Sequence, residues 1–457
     1  MRRKKNRMAR MGARRGVLIL ILGCALALPP WGQAQEAEEG PMTLEQARRL
    51  ALERNLGIKS SEADLERARA ETMGRYAEFF PKLSAEGRYS LIGAVPRIII
   101  PTGSFFPVPP LPPVDTTVRT GERVNYGLRL SLEQPLFTGG AIYQAYRTSR
   151  LSQATADLHL RQAVQDLLLR IELAYWDILK TERLREVADL QVSDLKEHLR
   201  VVKASYDAGS VPYNEVLKTM VSLAEAEQRL LGARNNADYA RMAMNNLLRR
   251  ELSSPVRPEV PSETGPFDLM SFEEAMKSAA ERRIELQAAK TQVESMAARK
   301  DLARSGYYPR ISAVASYERA RETITVIPEN WEVMGILRWT FWDWGQTGSE
   351  VSRAESGLRR SEMDLQALTE EVALDVRGRH LRALEAREKI EVTRAAVEQA
   401  LENFRITEER FKAGVTTNTE VLDAESLLVS SRANQTNAIY DFFSARARLN
   451  RAAGIMP

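Results

Sequence analysis

Sulfur and imidazole are nearly missing from this chain: 457 residues hold one cysteine and three histidines. The cysteine, Cys24, sits in an apolar stretch near the N-terminus, so the rest of the chain has no thiol for a disulfide or a Cys-ligated metal. His159, His198 and His380 lie far apart on helical stretches, with no second ligand at metal spacing, and read as solvated or packing residues. No glycine-rich phosphate cradle and no activated nucleophile occurs. No catalytic residue, metal or cofactor is therefore expected. Past the leader there is no run of 18 apolar residues, which excludes a transmembrane helix but not spanning strands, whose trace is far weaker.

A surplus of positive charge is also missing, despite the formal +4. Eight of the 65 basic residues, from Arg2 to Arg15, precede the apolar run Val17–Leu28, the layout of a secretory signal. Cleavage is expected near Ala34, so that residues 1–34 are removed; the other processing is lipidation at Cys24, because Ile21-Leu22-Gly23-Cys24 loosely resembles a lipoprotein box. The mature chain then carries 57 basic against 61 acidic residues and offers nothing to a nucleic acid.

What the chain has instead is repetition. Tyr206-Asp207-Ala208-Gly209, followed by Asn214-Glu215-Val216-Leu217, returns 205 positions later as Phe411-Lys412-Ala413-Gly414, followed by Thr419-Glu420-Val421-Leu422. A second offset, 228, relates Leu44-Glu45-Gln46-Ala47 to Phe272-Glu273-Glu274-Ala275, and Pro81 to Pro309. Residues 35–251 form one copy and 271–457 the other, joined by a proline-bearing connector, 252–270.

Each copy opens with a helical stretch, from about 43 to 80 and from about 271 to 308, ended by its proline. The period then changes to two. Strands are expected at about 83–95 and 124–134 in the first copy, and at about 311–320 and 332–342 in the second. Leu128, Leu130 and Leu132 alternate with Arg129, Ser131 and Glu133, and Trp339, Phe341 and Trp342 crowd one strand end, as interfacial girdles do. The two offsets differ by 23, so the first hairpin loop is that much longer; it holds Ile98-Ile99-Ile100, Phe105-Phe106 and seven prolines between Pro96 and Pro113, and reads as a stiff loop at the barrel mouth.

Long proline-free helices follow, 141–206 and 346–411, each some 65 residues and so about 100 Å long, too charged for lipid. Tips near 207–212 and 412–417 turn at Gly209 and Gly414, and a return helix brings Val421, Ala424, Leu428, Ala438, Phe442, Ala445 and Leu449 to coiled-coil spacing. Amphipathic hairpins on a soluble core are the other reading of these strands; if they span a membrane, four cannot enclose a lumen and lipid tolerates no open sheet edge, so several chains must share one barrel: two give 8 strands, three give 12.

This order of elements, given twice, resembles the TolC-like outer-membrane efflux proteins. Gln134-Pro135-Leu136-Phe137-Thr138-Gly139-Gly140 and Phe411 through Ala424 carry the likeness, which extends over about residues 42 to 455. The resemblance implies a mainly α fold with a membrane β-barrel, assembled as a homotrimer with a 12-stranded barrel and a periplasmic helical tunnel. It further implies a passive outer-membrane conduit for efflux or type I secretion, meeting a periplasmic adaptor and an inner-membrane transporter. Its acidic entrance ring maps to Glu420 and Asp423, and its closing network to Phe411, Thr416, Asn214 and Glu215. Phe411 stands where a tyrosine would offer a hydroxyl and Thr416 where an arginine would bridge, so this chain lacks that ionic lock. Ala208, Gly209, Ala413 and Gly414 are the expected adaptor contacts. Glu420 also fits a local role, since Thr417-Asn418-Thr419-Glu420 has capping-box spacing.

Overall fold

A computed structural model of the chain describes residues 41–95, 97–100, 116–119, 121–260, 267–321 and 329–456. The leader with Cys24 and Ala34, the loop prolines, Phe105-Phe106, and Pro261 and Pro266 of the connector lie outside the described residues. The order is α1 (Leu44–Arg54), α2 (Leu56–Ala77), β1 (Lys82–Leu91), β2 (Arg97–Ile100), β3 (Thr116–Arg119), β4 (Val124–Phe137), α3 (Ala141–Asp207) and α4 (Tyr213–Leu247). The second copy follows as α5 (Phe272–Arg282), α6 (Ile284–Arg304), β5 (Arg310–Arg321), β6 (Glu329–Arg338), α7 (Gln346–Lys412) and α8 (Asn418–Ala452).

The helical stretch that opens each copy is two helices, not one. Asn55 is extended (φ −70°, ψ 124°) and its side-chain oxygen accepts from the Gly57 and Ile58 amides, capping α2. Asparagine competes well for nearby amides, and here it wins over helix continuation. Arg283 makes the same break between α5 and α6 (φ −65°, ψ 121°), with its guanidinium held by Asp375 at 3.0 Å. Capping boxes, Thr43 with Gln46 and Ser271 with Glu274, start α1 and α5.

The four long strands form one antiparallel sheet in the order β1-β4-β5-β6. The two hairpins share one register when shifted by the repeat offsets: Lys82 faces Glu133, and Arg310 faces Arg338. Two strands stop short of their expected ends, while β4 runs on to Phe137 and β6 starts earlier, at Glu329. β1 stops at Leu91 because the chain bends at Gly93 and Ala94 ahead of Pro96, which has no amide for a ladder. β6 runs Glu329–Arg338, so Trp339, Phe341 and Trp342 lie beyond it; its partner begins only at Arg310, after Pro309.

Alternation divides the sheet into an apolar and a polar face. Leu83, Leu128, Leu130, Leu132, Ile311 and Val333 share the apolar face; Glu86, Arg129, Glu318 and Glu332 share the other, where Arg129 and Glu318 pair at 2.6 Å. Tyr89 faces Tyr126 and Tyr317 faces Trp331 toward one end of the apolar face, while Leu136, Phe137 and the exposed Trp339, Phe341 and Trp342 stand at the other. The 14 residues of β4 extend about 45 Å, or about 35 Å at a barrel tilt near 40°, enough to cross a hydrocarbon core of about 30 Å.

α3 and α7, at 67 residues each, run about 100 Å. α4 and α8, at 35 residues, cover only the tip half, and α2 and α6 pack along the half nearer the sheet. The core is thickest midway, where Leu167, Ile171 and Ile178 of α3 meet Met244 and Leu248, and Trp176 stacks on Phe443 at 4.5 Å. Arg451 bridges Asp166 and Glu285 (2.8 and 2.9 Å), tying α8 to α3 and α6. Between the copies, Met42 pairs with the connector through Arg257 and Glu259, and the Tyr175 hydroxyl donates to the Glu259 carbonyl at 2.7 Å.

The entry to α3 has no room to spare. Gly139 has φ +62°, and a Cβ there would lie 2.6 Å from the Tyr308 Cβ and 2.9 Å from the Ser305 carbonyl. Gly140, at φ +87°, faces open space. Gly139→Ala should therefore destabilise by about 2–4 kcal/mol, overpacking added to a left-handed backbone, whereas Gly140→Ala should cost only about 1 kcal/mol. Thermal melts of the helical circular dichroism in detergent check the difference; equal melting points would refute it.

Candidate functional site at the hairpin tips

Both tips turn on a left-handed glycine: Gly209 at φ +73° and Gly414 at φ +70°. Gly209 and Ser210 donate back to Tyr206 and Ser205, and Gly414 and Val415 to Phe411 and Arg410. A Cβ would meet nothing at either glycine, so the backbone angle alone calls for it. Ala208, Gly209, Ala413 and Gly414 are all exposed, leaving two open turns side by side at one end of the bundle.

Above the turns an apolar plug of Val202, Val216, Phe411 and Val421 joins the two hairpins. Phe411 is buried in it, with its ring 5.4 Å from that of His198. Thr416 does not reach the other hairpin: its hydroxyl donates to Glu420 within its own turn. Asn214 is exposed. The Glu215 carboxylate takes Lys218 at 2.9 Å and the amide nitrogen of Asn418 at 3.1 Å. The Lys218 bond first, and the Asn418 bond after it, hold that carboxyl below its ordinary range against some desolvation.

Asn418 is the centre of the site. It is 2 % exposed. Its amide nitrogen also donates to the Glu215 carbonyl (3.3 Å) and to the Thr219 hydroxyl (3.1 Å). Its oxygen lies 2.7 Å from Nε2 of His198. A carboxylate can only accept, so the amide nitrogen faces Glu215 and Nε2–H donates to the amide oxygen. One α8 side chain thus joins α3 and α4 of the first hairpin. Its repeat counterpart is the exposed Tyr213, so the repeat gives no hint of it, and the capping spacing around it suggests a purely local role. The histidine, too, is drawn into a network that its isolation in the chain does not reveal.

Two turns further from the tip the seam has a second polar layer. Gln191 donates to Glu425 and accepts from Arg229, both at 3.3 Å. Glu425 is 5 % exposed and its other carboxylate oxygen has no partner. Burial pushes both this carboxyl and that of Asp194 above their ordinary values. Along α8, Glu420, Asp423, Leu427, Ser430, Asn434 and Asp441 recur at helical spacing on the exposed side, opposite Val421, Ala424 and Leu428. Glu420 is held by Thr416, while Asp423 stands in solvent with no described partner. The arrangement can latch two hairpins and present carboxylates to whatever passes; it contains no nucleophile–base pair, and no group of three metal-ligating side chains occurs among the described residues.

Asn418→Ala takes one partner from the half-buried Glu215 carboxylate and strips the buried His198 imidazole of its own, and should weaken the tip by about 1–3 kcal/mol. Amide exchange in residues 199–216 and 411–422 should accelerate about tenfold or more, with Asn214→Ala leaving it unchanged; equal exchange would refute the latch. The latch should also respond to acid. Burial lowers the His198 pKa from 6.5, with Asn418 of α8 and Glu408 of α7 opposing that shift and Lys412 of α7 adding to it. A histidine depressed in the latched state binds more protons when released, so the latch is fully stable above about pH 6.5 and loses stability as pH falls through the lowered value. The protection factors of the tip amides, which remove the intrinsic slowing of exchange in acid, should therefore fall below about pH 6.5, and His198→Gln should flatten that dependence.

The family model described as outer membrane efflux protein matches residues 47–248 and 275–455, one segment in each copy. The alkaline protease secretion protein AprF of Pseudomonas aeruginosa is 25% identical over 346 residues, 73% of this chain and 70% of its own length. The outer membrane protein TolC of Vibrio cholerae is 23% identical across 76% of this chain and 82% of its own. The toluene efflux pump outer membrane protein TtgI of Pseudomonas putida is 24% identical across 88% and 83%. Among solved structures, CusC superposes with a TM-score of 0.77 at 15% identity over 90% of this chain and 92% of its own. VceC of Vibrio cholerae gives 0.74 at 16% identity over 90% and 96%.

Proposed function

Because the chain belongs to the outer membrane efflux protein family, we propose that three copies build one duct, with a 12-stranded barrel in the outer membrane and a helical tunnel in the periplasm. It is an outer-membrane channel of the efflux and secretion kind, not an enzyme. The observation that carries the shared barrel is the sheet of four strands, whose β1 and β6 have no strand on their outer edges among the described residues; the number three follows the family resemblance. In lipid those edges must find partners, and antiparallel β6-to-β1 pairing between copies supplies them. The helices support the same closure. α8 packs on α3, while the outward faces of α4 and α7 leave Leu217, Leu231, Tyr239, Leu374, Leu381 and Val392 exposed for neighbouring copies.

In this reading the tips are the periplasmic entrance. Ala208, Gly209, Ala413 and Gly414 offer the docking turns for a periplasmic adaptor, behind which stands an inner-membrane transporter. Glu420 and Asp423 ring the opening, six carboxylates in a trimer, and favour cations over anions there. Phe411, Thr416, Asn214 and Glu215 surround the closure, with Asn418 and His198 as its bridging pair. Whether the duct serves small-molecule efflux, as the name of TtgI states for that protein, or protein secretion, as that of AprF does, rests with the transporter it meets.

Purified protein should run as a trimer and conduct ions in planar bilayers. Asp423→Ala should lower cation selectivity and divalent block at least several-fold, since half of the ring carboxylates are removed. Wild-type selectivity and block in that variant would refute the ring, and a non-conducting monomer would refute the duct.

A further inference from the structure

The repeat makes one prediction about the junction between copies that no single chain displays. Inside the chain, the β4–β5 junction brings the entry to α3 against the end of α6, with Gly139 pressed on Ser305 and Tyr308. The 205 offset carries Gly139 to Trp344, and the 228 offset carries Ser305 and Tyr308 to Ala77 and Phe80. The corresponding junction, β6 to β1, lies between two copies. The backbone there is conserved between the repeats: Trp344 has φ +56° against +62° at Gly139. For a bulky residue that conformation costs about 1–2 kcal/mol. It is held by Asp343, whose carboxylate accepts from the amides of Gly345 and Thr347. Within one chain Trp344 is 89 % exposed, and Phe80, at 50 %, tops an aromatic group with Tyr76 and Phe79.

A Cβ at position 139 would sit 2.6 Å from another carbon, about 1 Å inside contact distance. Trp344 cannot meet Phe80 of the next copy at that spacing. We propose that Trp344 is a wedge between copies: its indole packs on the Tyr76–Phe80 turn of the neighbouring copy and holds that junction open. Aromatic rings on both sides suit such a contact. The barrel rim then alternates three tight glycine junctions with three tryptophan-filled ones. This rests on the trimer proposed above.

The test places a photo-crosslinking benzoylphenylalanine at 344 and, separately, at Leu374, an exposed position on α7 remote from the junction. Crosslinks from 344 should yield covalent dimers and trimers whose joined peptide maps to residues 75–88 of another copy. Phospholipid adducts alone, or no ladder, from 344 while 374 still gives a ladder would overturn the wedge and leave the trimer standing. No ladder from either position would overturn both. Trp344→Gly should further lower the temperature at which trimers dissociate in detergent without lowering the helical melting point, because glycine relieves the backbone; an unchanged dissociation temperature would count against the wedge.

Discussion

A sheet in lipid must pair every backbone amide and carbonyl on its edges, and this chain supplies too few strands to do so alone. That constraint orders the rest of the molecule. Four strands give two open edges, which other copies complete in the proposed ring. In the proposed ring each helical hairpin has a neighbour on both sides, which would cover the apolar residues of α4 and α7 that one chain leaves exposed. An isolated helix of such charge has little to bury, so the long helices depend on packing against neighbours, within the hairpin and, in the proposed ring, beyond it.

Packing along those helices is graded from a thick apolar middle to a more polar tip. Midway, large side chains interlock and Arg451 ties three helices. Toward the tips the seam between hairpins is interrupted by two polar layers, one around Asn418 and one around Glu425. Buried polar layers weaken an interface relative to apolar ones, more so where a carboxylate oxygen is left without a partner. If the tips are the entrance, as proposed, the end that opens is the end least committed to one arrangement, and its bridge runs through a histidine whose charge acid can change.

Much of this was legible in the chain because its two copies constrain each other. The offsets of 205 and 228 place strands, turns and helices, and even reproduce the hairpin register, since Lys82–Glu133 and Arg310–Arg338 are the same pair shifted. Local competition was harder to read. Asn55 and Arg283 stop helices whose periodicity continues through them, and β6 ends where its partner ends rather than where its own pattern does. The latch was least legible, because burial of Asn418 and His198 is a tertiary fact: one looks like part of a cap and the other like a lone surface histidine until α3, α4 and α8 are brought together.

Departures from the repeat carry more functional information than the repeat itself. If both copies were identical, a ring of three chains would be a ring of six equal units, with the same contact at every junction and the same residues at every tip. This chain breaks that equivalence at both ends. At the tip, Asn418 stands where the first copy has Tyr213, so only one hairpin of each pair supplies the bridging side chain, and its partners lie on α3 and α4 of the other. At the rim, Trp344 replaces Gly139, so contacts within a chain and between chains cannot have the same spacing. In the proposed ring, duplication sets the common geometry of the joints, and the unequal residues make those joints differ.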